Sequence, residues 1–407
     1  MITAHAPASR ARAPLPRAFG AVMREVYGKG GYRSLMATRR HEGPSLFGQT
    51  PADAAMERVP PAPACREHDA LRQALPATVR LGTSSWSFAG WRGTVYADRA
   101  PATDLAAHGL AAYAHHPLHR AVGLDRSFYE TPSVESLSHL AAQAPPGFRI
   151  LVKAHQAVTR PNLQEDGTTL GSTVRARAHG AVNPRFLDAA WARDAVIAPH
   201  VEGLGARCGP IVFQFPALRM GPREPLTGET EVLDRLDRFL SALPRGPRYA
   251  VEFRNPGFLK ADSGQRLVSV LRSHDAVPAI GVMTGMPDVR TMQGLLEQAG
   301  WSVTHGPLVV RWLLGHGLGY EEARARFSPF RDLAAPDPDT RHGVAAMVAA
   351  ATNAGQDAIV IINNKAEGSA PASIPLLAGS IIDALRTRSQ ILSTSTRRSS
   401  CTLPSPS

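Results

Sequence analysis

Between residues 79 and 386 the sequence switches eight times from a short β-branched or apolar run to a longer stretch with helical spacing of Leu and Ala. The strand-like runs are 79–84, 121–129, 148–155, 210–215, 248–254, 277–283, 308–313 and 358–364. The helical stretches are 103–115, 134–143, 184–203, 229–243, 264–274, 290–299, 340–354 and 371–386. Eight strands, each followed by a helix, in about 310 residues is the count of a (β/α)8 barrel. The expected fold class is therefore α/β, a single (β/α)8 TIM-like barrel with disordered N- and C-terminal tails. An open doubly wound sheet would carry a Gly-rich dinucleotide fingerprint after its first strand, and none follows 79–84.

The flanks read differently from the centre. Residues 1–77 alternate Ala, Pro, Arg and Gly with little periodicity, and residues 387–407 are rich in Ser, Thr and Arg. The expected boundaries are a disordered basic extension over 1–77, the barrel over 78–386 and a disordered tail over 387–407. The first 24 residues hold no acid and several Arg, superficially like a transit peptide, but they lack the continuous apolar core of a secretory signal. The chain carries a formal charge of +11, yet residues 1–78 hold eleven basic and six acidic residues, and 387–407 hold three Arg and no acid. Most of the excess thus sits in the flanks, where it is ordinarily solvated. Nucleic acid is a conceivable partner on this charge, but not the favoured one. Cys65, Cys208 and Cys401 are far apart and form no CxxC pair, which argues against a disulfide scaffold or zinc ribbon and fits a reducing, cytoplasmic setting. No apolar run reaches the ~18 residues needed to cross a bilayer, so no membrane partner is expected.

In a parallel barrel alternate strand residues point inward, and chemistry collects at the C-terminal ends. Applied here, that parity turns Ala250, Glu252 and Arg254 to the lumen, with Tyr249, Val251 and Phe253 facing the helices. It groups Leu151, Lys153 and His155, and likewise Gly123, Asp125, Ser127 and Tyr129. The remaining strands contribute Gln214, Arg311 and Asn363. Polar residues at the late inward position of six strands are unexpected unless paired or used, because charge in mid-strand is costly. Each also has a structural reading. Glu252 with Arg254 or Arg311 can form an ion pair beneath the mouth, and Lys153 can neutralise Asp125 or Glu252. His155 can be a satisfied histidine, and Trp86 and Trp91 can cap the core rather than wall a pocket.

Other chemistries lack their signatures. There is no Gly-x-Ser-x-Gly elbow and no P-loop. Neither a His-x-x-x-His nor an Asp-x-His pair falls in the strands, so no metal and no cofactor is expected. The loop after the eighth strand, Asn363-Asn-Lys-Ala-Glu-Gly-Ser-Ala-Pro371, places Ser369 and Pro371 at a helix start, with Asn364 and Lys365 close by. Barrels frequently bind phosphate at such a helix start, with help from the loop after strand seven, here Gly315-His-Gly-Leu-Gly319. An ordinary capped helix beside an asparagine turn is the alternative.

These same residues carry a resemblance. Gly82-Thr-Ser-Ser-Trp-Ser87 with Trp91, then Asp125-Arg-Ser-Phe-Tyr129 followed by Thr131-Pro-Ser133, is similar to the start of the domain-of-unknown-function 72 family, also called YecE-like. Val152-Lys153, Gln214-Phe-Pro216, Val251-Glu-Phe-Arg254, Val310-Arg311 and Asn363-Asn364 continue the match over about 79–380. The resemblance implies a TIM-barrel-like fold and supplies no activity. By analogy its polar strand-end residues fall on Asp125, Tyr129, Lys153, Gln214, Glu252, Arg254, Arg311, Asn363 and Asn364. An acidic residue that often ends the family's sixth strand has no counterpart in Gly281-Val-Met-Thr284.

The expected function is a metal-independent enzyme acting on a small anionic molecule, phosphorylated ones included, at the C-terminal barrel mouth. A non-catalytic ligand-binding or sensor barrel, and a nucleic-acid-processing barrel aided by basic tails, are the alternatives. Glu252, Lys153 and Asp125 are the expected catalytic residues. Arg254, Arg311, Gln214, Asn363, Asn364, Lys365, Tyr129, Trp86 and His155 are expected to bind substrate. Lys153 is expected to stay charged and anchor the anion, because the sequence offers a carboxylate, Glu252, on a strand end and no dry apolar pocket around the lysine. A neutral Lys153, open to Schiff-base chemistry, is the outcome if desolvation and the arginines win. Residues 161–184, rich in Gly, Thr, Asn and Arg, are expected to form a flap over the mouth. The oligomeric state is not readable from the sequence.

Overall fold

Eight parallel strands close on themselves in sequence order. They are β1 (Val79–Thr83), β2 (His119–Leu124), β3 (Arg149–Lys153), β4 (Cys208–Gln214), β5 (Tyr249–Glu252), β6 (Ala276–Val282), β7 (Leu308–Trp312) and β8 (Ala358–Ile362). The closing ladder pairs Val79 through Thr83 with Ala358 through Ile362. The structure, a computed structural model, describes residues 50–162, 181–315 and 317–399. The (β/α)8 expectation holds. Among the described residues no helix is long and apolar enough to cross a membrane.

The barrel has two apolar compartments, as strand parity requires. Inside it, Ala121, Leu151, Val212, Ala250, Val277, Ala279, Val309, Ile359 and Ile361 form a small cluster that fills the lower lumen. Outside it, the alternate strand residues, among them Val122, Val152, Phe213, Val251, Val310 and Val360, join the much larger core beneath the helices. The helices are capped as their sequences suggest. Ser133 accepts from Ser136 N at the start of Val134–Ala142, Asp288 from Arg290 N and Thr291 N at Val289–Gln298, and Asp337 from Thr340 N at Pro338–Asn353. One glycine is required for barrel closure: a Cβ on Gly82 would stand 1.9 Å from the Ala121 carbonyl oxygen, where β1 and β2 shift register.

Two expected boundaries need correction. Residues before 78 are not all outside the folded domain, because Pro51–Arg58 and Arg66–Ala74 are helices. Thr50 and Asp53 close a capping box on the first, which packs on the helices Ala102–His115 and Val134–Ala142. The second packs on the final helix, and Ala55, Val59 and Leu75 are buried. At the other end the last helix spans Ala370–Ser399, well past 386. Residues 1–49 and 400–407, and most of the expected flap, 163–180, lie outside the described residues, as does His316.

Strand β2 also ends earlier than its pattern suggests. Asp125–Phe128 is a 3-10 turn, stabilised by Ser127 Oγ donating to Leu124 O at 2.5 Å and lying 2.7 Å from Lys153 O. Asp125, Ser127 and Tyr129 therefore do not share one strand face, and Tyr129 is 55% exposed. Likewise β3 ends at Lys153, so His155 is not a strand residue.

Candidate active site at the barrel mouth

Directly above the apolar lumen layer, four inward strand ends bring Lys153, Gln214, Glu252 and Arg311 into one buried cluster. Each follows by two positions a residue of the inner core, Leu151, Val212, Ala250 and Val309, so parity alone explains the convergence. Asp125 and Arg254, one and two residues beyond their strands, complete it.

Arg311 is the hub. Its Nη1 donates to Glu252 Oε2 at 2.6 Å and to Gln214 Oε1 at 3.3 Å, and its Nη2 donates to Asp125 Oδ1 at 3.1 Å. Arg254 lies outside this pair, with Nη2 donating to Gln214 Oε1 at 2.8 Å and Nε to Glu252 Oε1 at 3.4 Å. Glu252 and Arg311 are almost wholly inaccessible, at 0% and 1%. Burial alone would raise the Glu252 carboxyl, but Arg311, then Arg254, outweigh it and hold it below the usual carboxylate range. Burial likewise opposes the Arg311 charge, and Glu252 and Asp125 more than restore it. The ion pair anticipated between Glu252 and an arginine is thus present, and it occupies both carboxylate oxygens.

That occupation leaves Lys153 without Glu252 as an ion-pair partner. Its Nζ sits 3.7 Å above the centre of the Phe128 ring and makes no ion pair or hydrogen bond with any described residue. Glu252, the carboxylate that would have kept it charged, is turned to Arg311 and Arg254 instead. Burial, chiefly, with help from Arg311 and Arg254 and against Asp125 and Glu252, pushes the ammonium down to about 7. The condition for a permanently charged anchor is not met.

A second under-compensated cation stands beside it. Arg160 follows the short helix Gln156–Thr159, is buried, and lies with its guanidinium carbon 5.2 Å from the same Phe128 ring. Its Nε has no hydrogen-bond partner, and no described carboxylate is within ion-pair distance. Burial, with Arg254 in support and Tyr129 opposing, pulls it down to about 10. Sequence reasoning missed Arg160 because strand parity stops at Lys153. The available signal was a lone arginine before Pro161 just past a barrel strand.

Several expected ligand-binding residues do structural work instead. Trp86 is buried in the outer core, its Nε1 donating to Leu105 O at 2.9 Å, so it walls no pocket. His155 caps the short helix by accepting from Ala157 N at 3.2 Å and meets Trp191 edge-on; burial lowers it to about 4, leaving a neutral imidazole. Asn363 Nδ2 donates to Ser84 Oγ at 2.7 Å while its Oδ1 accepts from Lys365 N. Asn364 Oδ1 accepts from Ala370 N at 2.9 Å and Trp91 Nε1 at 3.3 Å. The anion site expected at the last helix start is therefore filled from within. A buried carboxylate, Glu367, also lies in the same loop, paired with Arg341. Lys365 is directed elsewhere, with Nζ 4.4 Å over Tyr320 and 5.8 Å from Phe330. Tyr129 and Tyr320, both about half exposed, remain as aromatic groups near Asp125.

A cavity of about 790 Å³ lies off this cluster, lined by Gly315, Leu318, Ala366 and the starts of the helices at Val289 and Pro338. It touches none of the charged strand-end residues. Among the described residues no group of three or more His, Cys, Asp or Glu side chains is placed to hold a metal ion.

A DUF72 family protein from Enterococcus faecalis is 15% identical, with a TM-score of 0.48, covering 75% of this chain and 95% of its own. One from Thermotoga maritima is 16% identical, with a TM-score of 0.46, covering 75% and 99%. No curated protein matches the chain. The family described as "Protein of unknown function DUF72" matches over residues 80–397, most of the folded part, and the chain belongs to that family.

Proposed function

We propose that the barrel mouth is the active site of a metal-independent enzyme for a small anionic substrate. The observation that carries this reading is the charge balance. Lys153, Arg160, Arg254 and Arg311 converge there against Asp125 and Glu252, and two of the four cations, Lys153 and Arg160, have no carboxylate partner among the described residues. A buried cation without a partner is costly, and an incoming carboxylate or phosphate relieves that cost. A cation-rich donor set also repels a metal ion. Arg254, with 19% of its side chain accessible, and Arg160 are the anchors. Asp125 is the available base, because both oxygens of Glu252 are engaged.

Calorimetric titration with inorganic phosphate and with small carboxylates tests the reading. Binding should weaken about 10-fold or more in Arg254→Gln, the loss of one charge-assisted hydrogen bond. Absence of binding by any of these anions, or binding that Arg254→Gln leaves unchanged, would overturn it. Binding without conversion of any bound metabolite would reduce the reading to a ligand-binding barrel.

A further inference from the structure

The structure assigns Lys153 a second kind of chemistry: we propose that its Nζ is a nucleophile that forms an imine with a small carbonyl compound bearing a carboxylate or phosphate. This rests on the anion-binding reading above and names the substrate class for the same site.

Three observations converge on it. Lys153 Nζ is buried, rests on an aromatic ring and has no ion-pair or hydrogen-bond partner among the described residues, so no bond must break before it attacks. Arg254, Arg311 and Arg160 surround the same space, and cations near a desolvated lysine favour the neutral, nucleophilic amine. The third observation is compositional. The chain uses only four lysines, Lys29, Lys153, Lys260 and Lys365, and meets nearly all its demand for positive charge with arginine. Arginine cannot lose its proton in a protein, whereas a buried lysine can. Of the four cations that converge on the mouth cluster, Lys153, Arg160, Arg254 and Arg311, the lysine alone can act as a free amine.

The chemistry balances without a co-reactant. The Nζ lone pair attacks the carbonyl carbon, and a C–N bond forms as the C=O π pair moves to oxygen. The proton lost by nitrogen is returned to that oxygen, with the Asp125 carboxylate, the acid acting most strongly on Lys153, as the carrier. The carbinolamine nitrogen then gives up its remaining proton, which Asp125 passes to the hydroxyl, and water leaves as the C=N bond forms. Arg254 and Arg160 hold the substrate's anionic group, so the carbonyl is presented to Nζ and the site selects 2-oxo acids or phosphorylated aldehydes and ketones over neutral carbonyls.

The test is reductive trapping on the full chain. The protein is incubated with pyruvate or glyoxylate and sodium cyanoborohydride, and labelled lysines are located by peptide mapping. Lys260, which is exposed, serves as the internal reference. Lys153 should be labelled at least 10-fold faster than Lys260 at neutral pH. Its rate should level off above about pH 7, where the amine is already neutral. Arg254→Gln should slow Lys153 labelling and leave Lys260 unchanged, and acetaldehyde, which has no anionic group, should lose the preference. Labelling of Lys153 no faster than Lys260 with both oxo acids would overturn the proposal. Calorimetry with lactate, which has the carboxylate but no carbonyl, keeps the two readings apart. Lactate binding without trapping of either oxo acid removes the imine and leaves the anion site standing.

Discussion

Replacing Arg311 by methionine removes the hub of the mouth without removing its volume. Glu252 then keeps only Arg254, at 3.4 Å, and Gln214 loses one of its two donors. Truncating one partner of a buried ion pair costs about 3–5 kcal/mol, because the remaining charge is left desolvated. With an unfolding entropy of about 2.1 cal/mol/K per residue over the folded part, that corresponds to a fall in Tm of roughly 6 °C. The loss should depend on pH in a defined direction. In the parent protein Glu252 is held below the usual carboxylate range, so it adds stability above its unfolded value of about 4.3 and loses it as pH falls through the folded value. In Arg311→Met burial dominates and raises the carboxyl, so the charged form costs stability at neutral pH and protonation relieves it. The gap between the two proteins should therefore be widest near neutrality and shrink below about pH 4. Urea unfolding followed by tryptophan fluorescence at both pH values measures it. The double variant Glu252→Gln/Arg311→Met should recover at least half of the loss, since neither charge is then stranded. Arg311→Met within about 1 kcal/mol of the parent at pH 7, or a gap that does not narrow in acid, would show that Glu252 is not left stranded without Arg311.

Lys153→Met should leave the fold as stable as the parent or more so at pH 7, because it removes a desolvated amine rather than an ion pair. The folded value near 7 lies below the unfolded value of about 10.4, so the parent should gain stability between those limits as pH rises, and the variant should not. Destabilisation of Lys153→Met by several kcal/mol would make the residue a structural partner instead. His116 stacks on His119 and meets a tilted His68 ring, has a buried Nε2 without a partner among the described residues, and is lowered by burial to about 3. Its unfolded value is about 6.5, so acid should cost stability between about 6.5 and 3. His116→Asn, which can still accept from Leu118 N, should flatten that part of the pH–stability curve, and an unchanged curve would count against it. Gly82→Ala should cost about 3 kcal/mol or prevent folding, judged by soluble yield and thermal unfolding, because its Cβ meets backbone rather than a yielding side chain.

The barrel was legible because its signal is repeated eight times and each strand alternates between two apolar environments. The same parity found Lys153, Gln214, Glu252 and Arg311, which lie on strands. It failed one or two residues further on, where backbone hydrogen bonds rather than strand geometry set direction. Asp125–Phe128 looks like a continued strand by residue type, but Ser127 bends it into a turn. Asn363 and Asn364 suit a substrate site by residue type and position, yet their amides satisfy the loop and helix start beside them. Arg160 has no periodic context at all. The helices Pro51–Arg58 and Arg66–Ala74 were hidden by an Ala-, Pro- and Arg-rich composition. Their apolar contribution is a few residues, Ala55, Val59 and Leu75, which gain burial only by docking on the barrel. The pairing within the mouth was also beyond sequence: composition shows two acids and several cations, and only geometry shows that both Glu252 oxygens go to arginines and none to Lys153.

Lys153 has no ion-pair partner among the described residues, and nitrogen-detected NMR of its Nζ reads the protonation of that amine. With four lysines in the chain, Lys153→Arg assigns the resonance by its disappearance. A titration midpoint near 7 is expected in the free protein, moving upward when inorganic phosphate or lactate, which cannot form an imine, is added. A midpoint at the ordinary lysine value of about 10.4, unmoved by either anion, would contradict it.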